Sequence, residues 1–175
     1  MDRPFDPRVD FYAKRVMRRQ LPAVQIELAI DLKTQSFVEP NSDYRAVIRA
    51  DQGEAMGTAT FGISPLNDTL YLYQIEVLPQ HRRQGYAMAC LYWLHQTHGL
   101  PITPVHIVGS AQSFWGTARQ LNTLGMMVNR DIRTSEMTKE KARWAHLVPE
   151  PEHLRLQREC EASPEWESIR QRLSQ

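Results

Sequence analysis

The spacing of apolar residues changes period several times along the chain. Between residues 7 and 20, Val9, Tyr12, Val16 and Met17 recur on one side of a helix, with Arg8, Lys14, Arg15, Arg18 and Arg19 around the rest. The pattern predicts a basic-faced helix ending at Pro22. From 24 to 32, Val24, Ile26, Leu28, Ile30 and Leu32 alternate with Gln25, Glu27, Ala29 and Asp31. That is strand periodicity; the composition also tolerates a helix, and strand is favoured. After a loop at Glu39–Ser42, three strands are predicted at Tyr44–Ala50, Glu54–Ile63 and Thr69–Leu78. Asp51-Gln52-Gly53 and Ser64-Pro65-Leu66-Asn67-Asp68 supply the turns between them. Such a meander makes an antiparallel sheet.

Beyond Pro79 the helical period returns. A helix is expected over Gln84–His98, stopped by Gly99 or Pro101. Ile102–Val108 reads as a strand, Ala111–Leu124 as a helix closed by Gly125, and Met126–Ile132 as a final strand. A meander followed by strand, helix and strand gives a mixed α/β (α+β) sheet. The charged tail from residue 135 reads as helical, with starts at Ser135 and at Ser163-Pro164. Its tryptophans, Trp144 and Trp166, imply packing on this domain or on a second subunit. The expected division is a domain over 1–134 and a helical C-terminal extension over 135–175.

Composition narrows the function classes. The chain has 175 residues, enough for one domain with a core that needs no disulfide or metal. A net charge of +1 supplies no overall field toward nucleic acid or an anionic membrane. Two cysteines, Cys90 in an apolar run and Cys160 in the polar tail, build neither a disulfide framework nor a zinc site. A reducing, cytoplasmic setting is the expectation. Residues 1–10 lack the apolar stretch of a signal peptide, and no run approaches the roughly 20 apolar residues of a spanning helix.

The chemistry concentrates at Val77-Leu78-Pro79-Gln80-His81-Arg82-Arg83-Gln84-Gly85-Tyr86-Ala87. A strand ends, and a basic turn with one glycine opens into a helix. The first amides of a helix lack internal partners, and the helix dipole favours an anion there. Gly85 and Ala87 leave room for close approach, and Arg82 and Arg83 add charge suited to phosphate. Standing alone, the turn would be an ordinary basic helix start. It lacks the Gly-Lys-Ser/Thr ending of a Walker loop and the three glycines of a dinucleotide fingerprint.

In its setting the segment resembles the pyrophosphate loop of the GNAT N-acetyltransferase family. That pattern is Arg or Gln, two residues, Gly, one residue, then Gly or Ala. It is met by Arg82, Gly85 and Ala87. The element order from about Tyr44 to Met126 also resembles the family's. The resemblance implies an acyl-CoA N-acyltransferase fold and acetyl-CoA as co-substrate. It implies a coenzyme A site at Val77, Leu78, Arg82, Arg83, Gln84, Gly85, Tyr86 and Ala87. It also implies a splay between the strand ending near Val77 and the next one, and transfer of the acetyl group to an amine by direct attack in a ternary complex.

The resemblance leaves the catalytic residues open. Strict alternation places Tyr71, Tyr73, Ile75 and Val77 on one face and Leu70, Leu72, Gln74 and Glu76 on the other. Some family members carry a base at the positions of Tyr73 and Tyr71, where a tyrosine could hold a water. Glu76 is the one carboxylate on the strand, and a bulge could turn it to the site. Against these roles stand sheet packing for the tyrosines and plain exposure for Glu76. The family's acidic tyrosine is replaced by Leu121, and Ser113 or Tyr92 could substitute. The acceptor is expected to be a small-molecule or protein amine. The basic helix would suit a toxin-like enzyme acting on aminoacyl-tRNA, or its charges would simply be solvated. A catalytically inactive binding module, dimeric through the extension, is the alternative that Leu121 and the tail leave standing.

Overall fold

The computed structural model describes residues 21–30, 40–147, 152–164, 166 and 170. The helix expected at 7–20 lies outside them. The chain divides into two compact units, Met1–Ala142 and Arg143–Gln175.

The first unit is built on a five-stranded sheet in sequential order: β1 (Val24–Ile30), β2 (Tyr44–Ala50), β3 (Ala55–Ile63), β4 (Leu70–Val77) and β5 (Ile102–Pro104). The first four strands pair antiparallel, and β5 joins β4 in parallel. The alternation at residues 24–30 thus resolves as a strand, with Ile26 opposite Ile48 and Leu28 opposite Ala46. Helix α1 (Tyr86–His98) connects β4 to β5, as a parallel connection requires. Helix α2 (Gln112–Gln120) follows, then a 3₁₀ turn at Leu121–Leu124 capped by Gly125.

One core cluster joins the sheet to α1 and α2. Ala46, Ile48, Ala59, Phe61, Leu70 and Leu72 of the sheet pack with Cys90, Leu91 and Leu94 of α1 and Trp115 and Ala118 of α2. The helical spacing of Cys90, Leu91 and Leu94 gives α1 its buried stripe. Helix α3 (Thr134–Trp144) buries Met137, and its Glu140 accepts a hydrogen bond from the Tyr71 hydroxyl at 2.8 Å. In the second unit α4 (Glu152–Glu161) is a charged, exposed helix.

Three sequence expectations change. The strand expected over Ile102–Val108 ends at Pro104, because the chain leaves β4 there. The strand expected over Met126–Ile132 is reduced to two bridges, Ile102 to Val128 and Val105 to Ile132. The tail, expected to start helices at Ser135 and Ser163-Pro164, also starts α4 at Glu152, directly after Pro151 in the sequence and with an acidic first turn.

Strict alternation along β4 also fails. Gln74 pairs with Thr60 but Leu72 with Phe61, so Tyr73 is the extra residue of a β-bulge. A one-residue insertion reverses facing on one side of it. Ile75 and Val77 therefore share a face with Leu70 and Leu72, and Gln74 and Glu76 with Tyr71.

Candidate functional site

The site arises where β4 and β5 part. Their pairing runs from Leu70 opposite Ile102 to Leu72 opposite Pro104, and the Val105 N–H donates to the Leu72 carbonyl at 2.9 Å. The next residue turns away. His106 has φ 55°, a left-handed conformation, and its N–H donates instead to the Ile132 carbonyl at 2.9 Å. From Gln74 to Val77 the edge of β4 consequently pairs with no strand on that side among the described residues. A cleft of about 850 Å³ opens along it. Its walls are β4, the loop from His81 to Gly85, the start of α1, the segment Pro104–Val108 and the first turns of α2, with Ser113, Phe114, Trp115 and Thr117.

One end of the cleft is shaped for negative charge. After Val77 the chain makes a 3₁₀ turn at Pro79–His81 and then two left-handed residues, Arg83 (φ 65°) and Gly85 (φ 90°). Gly85 caps α1 and offers no side-chain acceptor. The first helical bond runs from the Ala89 N–H to the Gly85 carbonyl at 2.9 Å. The amides of Tyr86, Ala87 and Met88 therefore have no backbone acceptor among the described residues, and the dipole adds partial positive charge there.

The two arginines differ in employment. Arg82 folds back, its Nε donating to the Val77 carbonyl at 3.0 Å with a guanidinium nitrogen 4.0 Å from Glu76. That exposed ion pair contributes little; the bond to Val77 ties the loop to the strand end. Arg83 is exposed and makes no side-chain hydrogen bond or ion pair among the described residues.

Of the expected residues, Tyr73, Val77, Arg82, Arg83, Gly85, Tyr86 and Ala87 line the cleft. Leu78, Gln84, Tyr71 and Glu76 do not. Leu78 is 39% exposed, and Gln84 donates to the Gln80 carbonyl and lines a smaller hollow with Pro22 and Glu54. Tyr71 is buried against α3 through Glu140. Glu76 is exposed on the same face as Tyr71. Tyr73 donates its hydroxyl to the Pro40 carbonyl. Burial, and then the Asp43 carboxylate, push its phenol above the ordinary value, so it stays protonated and cannot take a proton at neutral pH. Ser113 lines the cleft; Tyr92 does not, and Leu121 packs on the core.

His106, Phe114, Trp115 and Thr117 were not expected at the cleft. An isolated histidine after a short strand carries no period or motif; only the break in pairing brings it there. Among the described residues no cluster of three or more His, Cys, Asp or Glu could hold a metal ion, and no helix is long and apolar enough to cross a membrane.

Residues 12–97 match the Acetyltransferase (GNAT) family. The match covers just under half of the chain, and the mixed five-stranded sheet with helices is consistent with that family's fold. No curated protein matches the chain. Among solved structures, it is similar to a Deinococcus radiodurans R1 protein described as an acetyltransferase, at 12% identity and TM-score 0.39, over 54% of this chain and 80% of that one. It is also similar to nourseothricin acetyltransferase, at 18% identity and TM-score 0.28, over 46% of this chain and 58% of that one.

Proposed function

We propose that the chain is an N-acetyltransferase that takes the acetyl group from acetyl-CoA and gives it to a primary amine by direct attack in a ternary complex. The observation that carries this reading is the parting of β4 and β5 beside an uncapped helix start. The residues fit the co-substrate. The cleft has the volume of a small-molecule site, and one end is cationic. The unpaired edge of β4 offers N–H and C=O groups to an extended amide-bearing arm, as an added strand would use them. Bound acetyl-CoA supplies an activated acyl group as its thioester. The amides of Tyr86, Ala87 and Met88, with Arg83, would hold the pyrophosphate. The β4 edge near Val77 would hold the pantetheine arm and direct a backbone donor at the thioester carbonyl, where negative charge develops. Holding both reactants in line supplies much of the acceleration.

The test is a calorimetric titration of acetyl-CoA into the parent and Arg83→Glu. The substitution removes one attraction and adds one repulsion. Each is worth about 1 kcal/mol at contact distance in water-like surroundings and about 4 at an effective dielectric of 20. Arg83 is exposed, so the low end applies: about 2 kcal/mol in all, roughly a 30-fold loss of affinity. The difference should shrink as salt is added. Equal affinity of the two proteins would overturn the assignment.

A further inference from the structure

An amine that is protonated in neutral water must lose a proton before it can attack, and something in the cleft must take it. The side chains proposed from the strand cannot. Tyr71 and Glu76 lie outside the cleft, and the Tyr73 phenol holds its own proton. The remaining titratable and charged groups lining the cleft are His81, Arg82, Arg83, Tyr86 and His106. The arginines carry no acceptor, and the Tyr86 hydroxyl is a weak proton acceptor by its chemistry. Only the two imidazoles can accept a proton there. His81 sits in the loop at the anion end, its Nε2 3.4 Å from Glu54 and its ring edge-on to Tyr86 at 6.4 Å. His106 sits at the fork of the strands, outside that loop.

The backbone gives the second line of argument. His106 is left-handed at φ 55°, a conformation that is uncommon for a residue with a side chain. Hydrogen bonds to two different segments hold the chain as it enters this residue: Val105 to Leu72, and its own N–H to Ile132, each 2.9 Å. The entering chain is thus held where His106 takes an uncommon conformation, and its side chain is exposed in the cleft. Backbone held this way clusters at functional positions.

Resting on the acetyltransferase reading above, we infer that His106 is the general base that takes the proton from the acceptor amine. The ammonium nitrogen gives its first proton to the imidazole, which passes it to solvent. The freed lone pair forms the N–C bond to the acetyl carbon as the C–S bond breaks. The nitrogen's second proton ends on the departing thiolate. Charge and atoms then balance as an amide, a thiol and one proton released.

The variant that isolates this role is His106→Asn, because asparagine tolerates the left-handed backbone but accepts no proton at neutral pH. Thiol release from acetyl-CoA is followed with spermidine and with a lysyl peptide as acceptors, across pH, alongside calorimetry of acetyl-CoA binding. The expected result is unchanged binding, turnover down by about 10²- to 10⁴-fold, and loss of the acid limb of the parent's kcat/KM profile. A second readout uses no turnover. Diethyl pyrocarbonate should modify His106 in the parent, read by peptide mass spectrometry, and acetyl-CoA should protect it. Asparagine-variant turnover close to the parent's with the acid limb retained, or no protection at His106, overturns the inference. A parent that binds acetyl-CoA but releases no thiol with either amine overturns it too. A parent that does not bind acetyl-CoA overturns the underlying reading of the cleft instead.

Discussion

Helix α1 is bounded by two left-handed glycines, and replacing each by alanine separates backbone strain from packing. Gly85 has φ 90° and Gly99 φ 67°, so alanine at either must take a conformation that costs about 1–2 kcal/mol. Alanine also restricts the unfolded chain, which returns about 0.4–1 kcal/mol. At Gly99 an added Cβ meets nothing within 4 Å, so the net cost there is about 1 kcal/mol or less. At Gly85 the Cβ would lie 3.0 Å from the Pro22 ring Cδ and 3.8 Å from Leu21. The Pro22 ring must then shift, and overpacking of this kind typically adds about 1–3 kcal/mol. Gly85→Ala should therefore cost about 3 kcal/mol, and at about 2–4 °C per kcal/mol its Tm should fall by roughly 6–12 °C. Gly99→Ala should lose at most about half of that. Thermal unfolding of the three proteins in one buffer, followed by circular dichroism, checks both values. Equal losses at the two glycines would refute the Pro22 contact, and no loss at either would refute the left-handed caps. Acetyl-CoA titrations extend the comparison. The glycines sit at opposite ends of a 13-residue helix, about 20 Å apart. On the proposed reading, Gly85→Ala weakens binding and Gly99→Ala leaves it unchanged.

Two further outcomes follow from buried polar groups. Tyr71→Phe removes the donor to the half-buried Glu140 and should cost about 1.5–3 kcal/mol in chemical denaturation while leaving turnover unchanged; a lost turnover with intact stability would return Tyr71 to the chemistry. His98 lies edge-on to Phe61, with its Nε2 buried and no hydrogen-bond partner among the described residues, and burial lowers its pKa from 6.5. The unfolded state then binds the proton more readily, so this contribution to stability is present above pH 6.5 and is lost as pH falls through the lowered folded value. Tm measured against pH should drop more steeply below 6.5 for the parent than for His98→Gln, and parallel curves would count against burial as the cause.

Periodicity and turn residues were enough for the meander, for α1 and for the loop between β4 and α1. Those features are set by local rules: alternation in Val24–Ile30, the Asp51-Gln52-Gly53 turn, and helical spacing beside a glycine that can take φ 90°. The basic end of the cleft was legible for the same reason, since an uncapped helix start after a basic turn is a property of contiguous residues. The facing of β4 was not. The bulge at Tyr73 is defined by the register of β3 against β4, and one inserted residue moved Ile75 and Glu76 to opposite faces from those alternation assigns. Nor was the wall of the cleft legible. His106 reaches it because Ile132, far along the chain, captures its N–H and draws the segment away from β4. By itself, then, the sequence determined the strands, the helix and the basic turn that opens it. The tertiary structure alone decided which side chains share the cleft with that turn, because this depends on where hydrogen-bond pairing between distant segments stops.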